Sequence, residues 1–307
     1  MYDLVIIGSG PAGLGAAIYA ERAKLNTITI EKDMMSGGQV LTTYEVDNYP
    51  GLPGINGFDL ATKLREHAEG LGARFVEDEV RAIGFEGKVK YVSCAKETYE
   101  TKTILIATGA GHRHLGVEGE ERLIGRGVGY CAVCDGALYR GKDVAVVGGG
   151  DVAIEDAIFL SRFCNKIYLI HRRDEFRAAK SLQDQLVKCK NVEILWNTVV
   201  EEIQGEQVVE KLLIKDLKEE QNWELPVEGI FVAVGVTPNS ETFIGTVDDE
   251  NGFLVAGEDC ETSVPGILAA GDVRTKGLRQ IITAVSDGAN AVSSAERYLR
   301  QEFPGIN

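Results

Sequence analysis

The sequence predicts an α/β architecture of two Rossmann-like units, the second inserted into a discontinuous first. Three observations predict it. At the N-terminus a continuous apolar run, Leu4-Val5-Ile6-Ile7, feeds a glycine turn, Gly8-Ser9-Gly10-Pro11-Ala12-Gly13, and then a helical pattern. The same order recurs from Asp143 through Gly148-Gly149-Gly150. Near the C-terminus, Gly266-Ile267-Leu268-Ala269-Ala270-Gly271-Asp272-Val273 forms another strand ending in glycine and acid, which more naturally completes the first unit than forms a third. A length of 307 residues suits two domains.

Taken in order, the first unit is strand, glycine turn, a helix from Ala12 to about Lys24, and a second strand, Thr27 to Ile30, closed by Glu31. In that context the glycines let backbone approach a pyrophosphate at the helix N-terminus, and Glu31 can accept from a ribose hydroxyl. A buried strand, Thr103 to Ala107, then runs into Gly109. Residues 111–119 are polar and irregular and read as a hinge. The second unit follows: strand Asp143 to Val147, turn, helix from Val152 to about Phe163, and strand Lys166 to Ile170. Glu31 lies 23 residues beyond Gly8 and His171 lies 23 beyond Gly148, so the two units are copies in register. A β-rich stretch over 192–217 and the strand Gly229 to Gly235 complete it, and Thr237-Pro238-Asn239 reads as the second hinge. The expected domains are 1–112 with 241–307, and 113–240.

The copies differ where the chemistry is set. In place of Glu31 the second has His171-Arg172-Arg173, with Arg177 one turn on. An acid there suits a free ribose 2′-hydroxyl, whereas arginines accommodate a 2′-phosphate, so the second site prefers NADP. Just ahead of the second fingerprint stands Cys131-Ala132-Val133-Cys134-Asp135. Thiols at i and i+3 on a turn can close a disulfide, and such a pair lowers one thiol's pKa. A redox pair beside a nicotinamide site points to an enzyme moving reducing equivalents from a nucleotide to a disulfide.

Composition narrows the field. A net charge of −15 and a pI near 4.8 argue against nucleic-acid or anionic-membrane binding. No apolar run approaches the ~20 residues of a membrane span, and the N-terminus begins as a strand with no basic leader, which leads to the expectation of a cytoplasmic protein. Cys94, Cys164, Cys189 and Cys260 are scattered singly and read as reduced structural residues. His112 and His114 with the cysteine pair could supply a zinc site, but they fall at the hinge without a second Cys pair, and solvent-exposed loop residues are the expectation. Asp151 and Glu155, in a helix's first turn, suit its dipole. Trp196 and Trp223 are expected to pack.

These motifs occur together and in order: GSGPAG at 8–13, SGGQ at 36–39, EVDNYPG at 45–51, ATG at 107–109, CAVCDG at 131–136, GGGDVAIE at 148–155, HRRDEFR at 171–177, AAGDV at 269–273 and RQIITAVSDG at 279–288. Across essentially its whole length the chain resembles the low-molecular-weight, bacterial-type thioredoxin reductases. The resemblance implies an FAD domain built from both chain ends and an inserted NADPH domain carrying the redox cysteines. By that analogy Gly8, Gly10, Pro11, Ala12, Gly13, Glu31, Gly38, Gln39, Asn48, Ala107, Gly109, Gly271, Asp272, Arg279, Gln280 and Ile281 belong to the FAD site. Gly148, Gly150, Asp151, Ala153, His171, Arg172, Arg173 and Arg177 belong to the NADPH site. The resemblance makes Cys134 the flavin-facing sulfur, Cys131 the thiolate that attacks a thioredoxin-like partner, and Asp135 the proton donor and acceptor. It also implies a homodimer whose domains rotate between two arrangements.

Other readings share the fold. A flavoprotein disulfide reductase could take electrons from ferredoxin or NADH, or serve another acceptor, and many relatives carry an aromatic pair where this chain has Ala137-Leu138-Tyr139. Larger disulfide reductases place their cysteines just after the first unit, where this chain has Met34-Met35-Ser36-Gly37-Gly38-Gln39. A nucleotide-dependent redox sensor would bind both cofactors and turn over no protein disulfide.

Overall fold

The computed structural model describes residues 1–43, 46 and 48–304. Glu45 and Asp47 of the EVDNYPG run, and residues 305–307 of the expected first domain, lie outside them. The N-terminal sheet starts with β1 (Tyr2–Ile7), α1 (Pro11–Arg22) and β2 (Thr27–Glu31). It continues through α2 (Gly57–Gly70) and β3 (Phe75–Glu77), then a meander of β4 (Val80–Glu86), β5 (Val89–Cys94) and β6 (Thr98–Ile106). The strand order is β3-β2-β1-β6-β5-β4, parallel up to β6 and antiparallel beyond it. Within this one sheet β6 pairs along one edge with β1 and along the other with two partners, its first half with β5 and its second with a strand from the far end of the chain.

Between those partners runs the second unit. Short β7 (Ala110–His112) leads to β8 (Val128–Gly129), the one-turn α3 (Ala132–Asp135), β9 (Asp143–Val147), α4 (Asp151–Leu160), β10 (Lys166–His171), α5 (Lys180–Leu186) and β11 (Val192–Trp196). An antiparallel layer, β12 (Thr198–Gln204), β13 (Lys211–Asp216) and β14 (Gln221–Pro226), precedes β15 (Gly229–Val232) and β16 (Val236–Pro238). The sheet β11-β10-β9-β15-β8 is wholly parallel. The chain then makes a short ribbon, β17 (Asp249–Glu250) and β18 (Phe253–Leu254), returns as β19 (Ile267–Ala269) beside β6, and ends in α6 (Ile281–Glu302).

Continuous apolar strands follow from layers on both faces. In the first sheet Leu4, Ile6, Leu105 and Leu268 face α1 and α6, while Val5, Ile7, Ile104, Ile106 and Ile267 face the other side. In the second, Val144, Val146, Ile167, Leu169 and Phe231 face α4, and Ala145, Val147, Ile170, Ile230 and Val232 face the antiparallel layer.

Several expectations need correcting. The hinges are only partly irregular: residues 113–117 form no regular element, but β7 and β16 pair antiparallel, with Thr237 opposite Gly111 and Pro238 opposite Ala110. The side chain of Asn239 then binds the Thr108 carbonyl at 2.9 Å, and Thr108 Oγ1 donates to the Asn239 carbonyl at 2.6 Å. A three-residue strand holding Gly or Pro has no periodicity to read; its partner defines it. Helix α1 stops at Arg22 because Lys24 takes a φ of 59°, and α4 runs from Asp151 to Leu160 rather than to Phe163. Trp196 packs, 4.3 Å from Phe176 between ring centres, whereas Trp223 is exposed. Among the described residues no helix is long and apolar enough to cross a membrane.

Helix α1 packs closely against α6. A Cβ built on Gly288 would lie 2.2 Å from the Ala12 carbonyl oxygen, and one on Gly15 2.9 Å from that of Val285. Gly288→Ala is expected to force the helices apart and cost about 1–3 kcal/mol. A melting curve of the purified variant against the parent checks it, with an unchanged midpoint as the contrary result.

Candidate functional site

The cavity opens at the C-terminal ends of the first parallel strands, where such sheets bind ligands. Gly8 ends β1 with a φ of 98°, and Gly13 is pressed so close that a Cβ there would sit 1.9 Å from the Gly8 carbonyl oxygen. That approach brings α1 onto the strand, with Gly10 as its N-cap, Pro11 at its first position and no acid in its first turn. The free backbone N–H groups of the turn are left to an anion. Glu31 stands at the end of β2, one oxygen accepting from Ser9 N at 2.7 Å and Ser9 Oγ at 2.8 Å, the other from Lys32 N at 2.8 Å.

The opposite wall comes from the C-terminal segment. Asp272 lies beneath the cavity with Oδ1 buried and unpartnered among the described residues, and burial raises its pKa. Gln280 caps α6 through a reciprocal pair of bonds with Thr283. Asn48 Nδ2 reaches across the chain to Gln280 Oε1 at 2.9 Å. Between these walls is a cavity of about 740 Å³, within the range of sites that bury a cofactor-sized ligand. Every residue expected at the flavin site lines it except Gly13, whose part is helix packing. A bare helix end for a pyrophosphate, an acid at the ribose position and an orphaned carboxylate oxygen for a hydroxyl fit an FAD.

The redox turn closes the same cavity. Cys131 and Cys134 are joined as a disulfide with Cα atoms 5.2 Å apart, and both line the cavity with Asp135. Cys131 is the N-cap of α3, and the Cys134 N–H points at its sulfur at 3.2 Å. A donor aimed at that sulfur favours a thiolate there once the bond is reduced. Asp135 is half-buried, its Oδ1 is covered and has no partner among the described residues, and burial pushes its pKa up to about 6. It can thus hold or release a proton near neutral pH.

None of the second-fingerprint residues lines that cavity. Gly150 caps α4 with open space around it, and Asp151 Oδ1 accepts from Ala179 N at 2.7 Å. Arg172, Arg173 and Arg177 are exposed, and among the described residues none of their side chains forms an ion pair. Three unpaired guanidinium groups fit a 2′-phosphate. His171 is different. It is 6% exposed, its ring fills the space a Gly149 side chain would need, and Nε2 meets the Glu175 carbonyl at 3.0 Å. It sits under the Gly149 loop, near enough to the three arginines for their charges to add to burial in lowering its pKa.

His114 is an exposed loop residue, as expected, whereas His112 is half-buried on β7. The His112 ring stacks on Tyr130 at 5.1 Å, and Tyr130 Oη meets His114 Nδ1 at 3.0 Å and Glu120 Oε1 at 2.9 Å. His112 and Tyr130 both line the cavity, as do Thr43, Asp78 and Phe243. No short motif marks these five, which are gathered by loops.

Comparison with known proteins follows the same lines. The family model for pyridine nucleotide-disulphide oxidoreductases matches residues 2–288. A thioredoxin reductase of Listeria monocytogenes is 44% identical, over 98% of this chain and 95% of its own. The crystal structure of a Streptococcus pyogenes thioredoxin reductase superimposes with a TM-score of 0.92 at 44% identity, covering 98% of this chain and 99% of that one. A Lactococcus lactis thioredoxin reductase in a conformation labelled FR gives 0.68 at 41% identity, covering 98% and 100%.

The half-buried Asp135 has a signature in stability. Its folded pKa, about 6, exceeds the ordinary 3.8, so the folded chain binds the proton more tightly than the unfolded one. Its contribution is fully present below 3.8 and lost as pH rises through about 6. Relative to Asp135→Asn, the parent is expected to lose stability between those pH values and not above them. Denaturant midpoints of both proteins across that range check it, and parallel curves contradict it.

Proposed function

The chain belongs to the pyridine nucleotide-disulphide oxidoreductases and, within them, to the thioredoxin reductases, and from that premise we propose an NADPH-dependent enzyme. In this reading residues 1–112 and 241–307 hold FAD and residues 113–240 hold NADPH. The electrons pass to the Cys131–Cys134 disulfide and on to a thioredoxin-like protein, and the active species is a homodimer. The observation that carries the reading is the disulfide and Asp135 lining one cavity with the first fingerprint and Asp272. The chemistry an FAD supplies there is the relay of a hydride's electron pair to a disulfide.

The chain's own residues do the rest. Gly10 and the first turn of α1 receive the pyrophosphate, Glu31 a ribose, and Asp272 a hydroxyl. Two electrons and two protons open the disulfide to a thiol pair. Cys131, with the Cys134 N–H aimed at its sulfur, is the thiolate. It attacks one sulfur of the partner's disulfide, forming a mixed disulfide and expelling a partner thiolate that Asp135 is placed to protonate. Cys134 then displaces the second partner sulfur and restores the original bond.

The nucleotide needs a different arrangement. With no second-fingerprint residue on the cavity wall, NADPH bound at Gly148–Gly150 requires the second domain to turn before it can meet the flavin. The Lactococcus lactis score supports this: similar identity and full coverage with a much lower global match is what a moved domain produces. The paired strands β7 and β16 are the natural pivot.

Anaerobic titration of the holoprotein tests the donor. NADPH is expected to bleach the flavin at far lower concentration than NADH, and replacing Arg172, Arg173 and Arg177 by Gln to erase the difference. Bleaching by reduced ferredoxin alone is the contrary result. Cys131→Ser is expected to keep nucleotide-driven bleaching while losing reduction of a thioredoxin disulfide. Normal turnover by that variant overturns the role given to Cys131.

A further inference from the structure

One carboxylate outside the cavity ties together its whole C-terminal wall. Asp287 lies on α6 at 3% exposure and does not line the cavity. It accepts the Gly271 N–H at 2.9 Å. Arg274 grips both its oxygens, Nε to Oδ2 and Nη2 to Oδ1, each at 2.8 Å. Lys276 Nζ adds a third cationic bond at 2.8 Å. The bonds continue along the segment. Arg279, which lines the cavity, donates from Nη2 to the Arg274 carbonyl at 3.3 Å and from Nη1 to the Lys276 carbonyl at 3.1 Å. Its guanidinium lies 4.3 Å from the centre of the Phe253 ring.

We propose that Asp287 is a positioning residue for the flavin, fixing the segment from Gly271 to Gln280 so that Asp272 and Arg279 meet the cofactor. This rests on the FAD reading above. Gly271 carries Asp272 as its immediate neighbour, so the backbone bond to Asp287 sets where the orphaned Asp272 carboxylate points. The next residue along α6, Gly288, is the one seated against Ala12 of the first fingerprint helix. Asp287 is thereby referenced to the same helix whose N-terminus faces the pyrophosphate.

A buried ion pair can be merely structural, and the protein holds its own control. Lys102 and Asp3 form another largely covered ion pair, in the first sheet. Their Cα positions lie toward the start of β1, away from the strand ends that open on the cavity. The test compares FAD affinity, the visible spectrum of the bound flavin, NADP affinity and the melting midpoint for the parent, Asp287→Asn, Asp287→Ala and Lys102→Met. Asp287→Asn keeps an acceptor for the Gly271 N–H and loses the charge. Both Asp287 variants are expected to weaken FAD binding by about tenfold or more, the size of a lost charged hydrogen bond. They should alter the flavin spectrum and leave NADP affinity unchanged, while Lys102→Met lowers the midpoint without touching FAD affinity. Should a stranded guanidinium prevent folding, the charge-neutral double variant Asp287→Asn with Arg274→Gln is measured instead. FAD affinity equal to the parent in that or the Asn variant overturns the proposal, as does an equal loss in Lys102→Met. A parent that takes up no FAD overturns the underlying reading before any variant is compared.

Discussion

The pairing of β6 with both β1 and β19 is the constraint on which the rest of the molecule depends. Parallel neighbours cannot be joined by a tight turn, so a crossover must connect them. Here the crossover from β6 to β19 contains the entire second unit. Both passages between the units therefore leave from one place at the end of β6, and they meet as the β7–β16 ribbon. The cavity opens at that same end, so the disulfide in the inserted unit arrives over it. Cavity and connecting ribbon coincide because one strand end generates both.

The charge distribution follows a similar logic. A chain with 47 acidic and 32 basic side chains cannot attract dinucleotides by its overall field. In the proposed reading it would attract them locally, by two different means. The first site uses backbone: a helix end with no acid in its first turn, and an acid held away at the ribose by Ser9 and Lys32. The second helix carries Asp151 in its first turn, and its added attraction comes from three exposed arginines. Backbone donors suit a cofactor that stays. Long, solvated side chains suit a substrate that must leave after each turnover.

Much of this is legible in the sequence because its signals are local. Apolar strands, glycine turns and the acid-for-arginine exchange each occupy a few consecutive residues, and the strand–turn–helix order fixes their geometry. Gly13 and His171 show where local reading stops. Both sit in the expected motifs, yet what the structure adds is packing: Gly13 lets the helix close onto Gly8, and the His171 ring fills the space behind Gly149. The hinge ribbon was illegible for another reason: Gly111 and Pro238 have no strand preference, and only their partners across more than a hundred residues make them strands. His112, His114, Tyr130 and Glu120 are likewise joined by a loop and not by a spacing.

Asp135 shows how burial converts a common side chain into a reactive one. Beside a permanently solvated disulfide its carboxyl would be ionised far below neutral pH and have no proton to give. Under the cavity wall, with one oxygen unpartnered, its pKa reaches about 6. The cost of desolvating a carboxylate is turned into proton affinity at the place where thiolates are released. The same closure that covers the Asp135 Oδ1 places the disulfide on the cavity wall. In the proposed reading a single rotation about the β7–β16 ribbon would bring the nucleotide to the flavin and the disulfide to its partner, which would tie the proton, the disulfide and the hinge into one device.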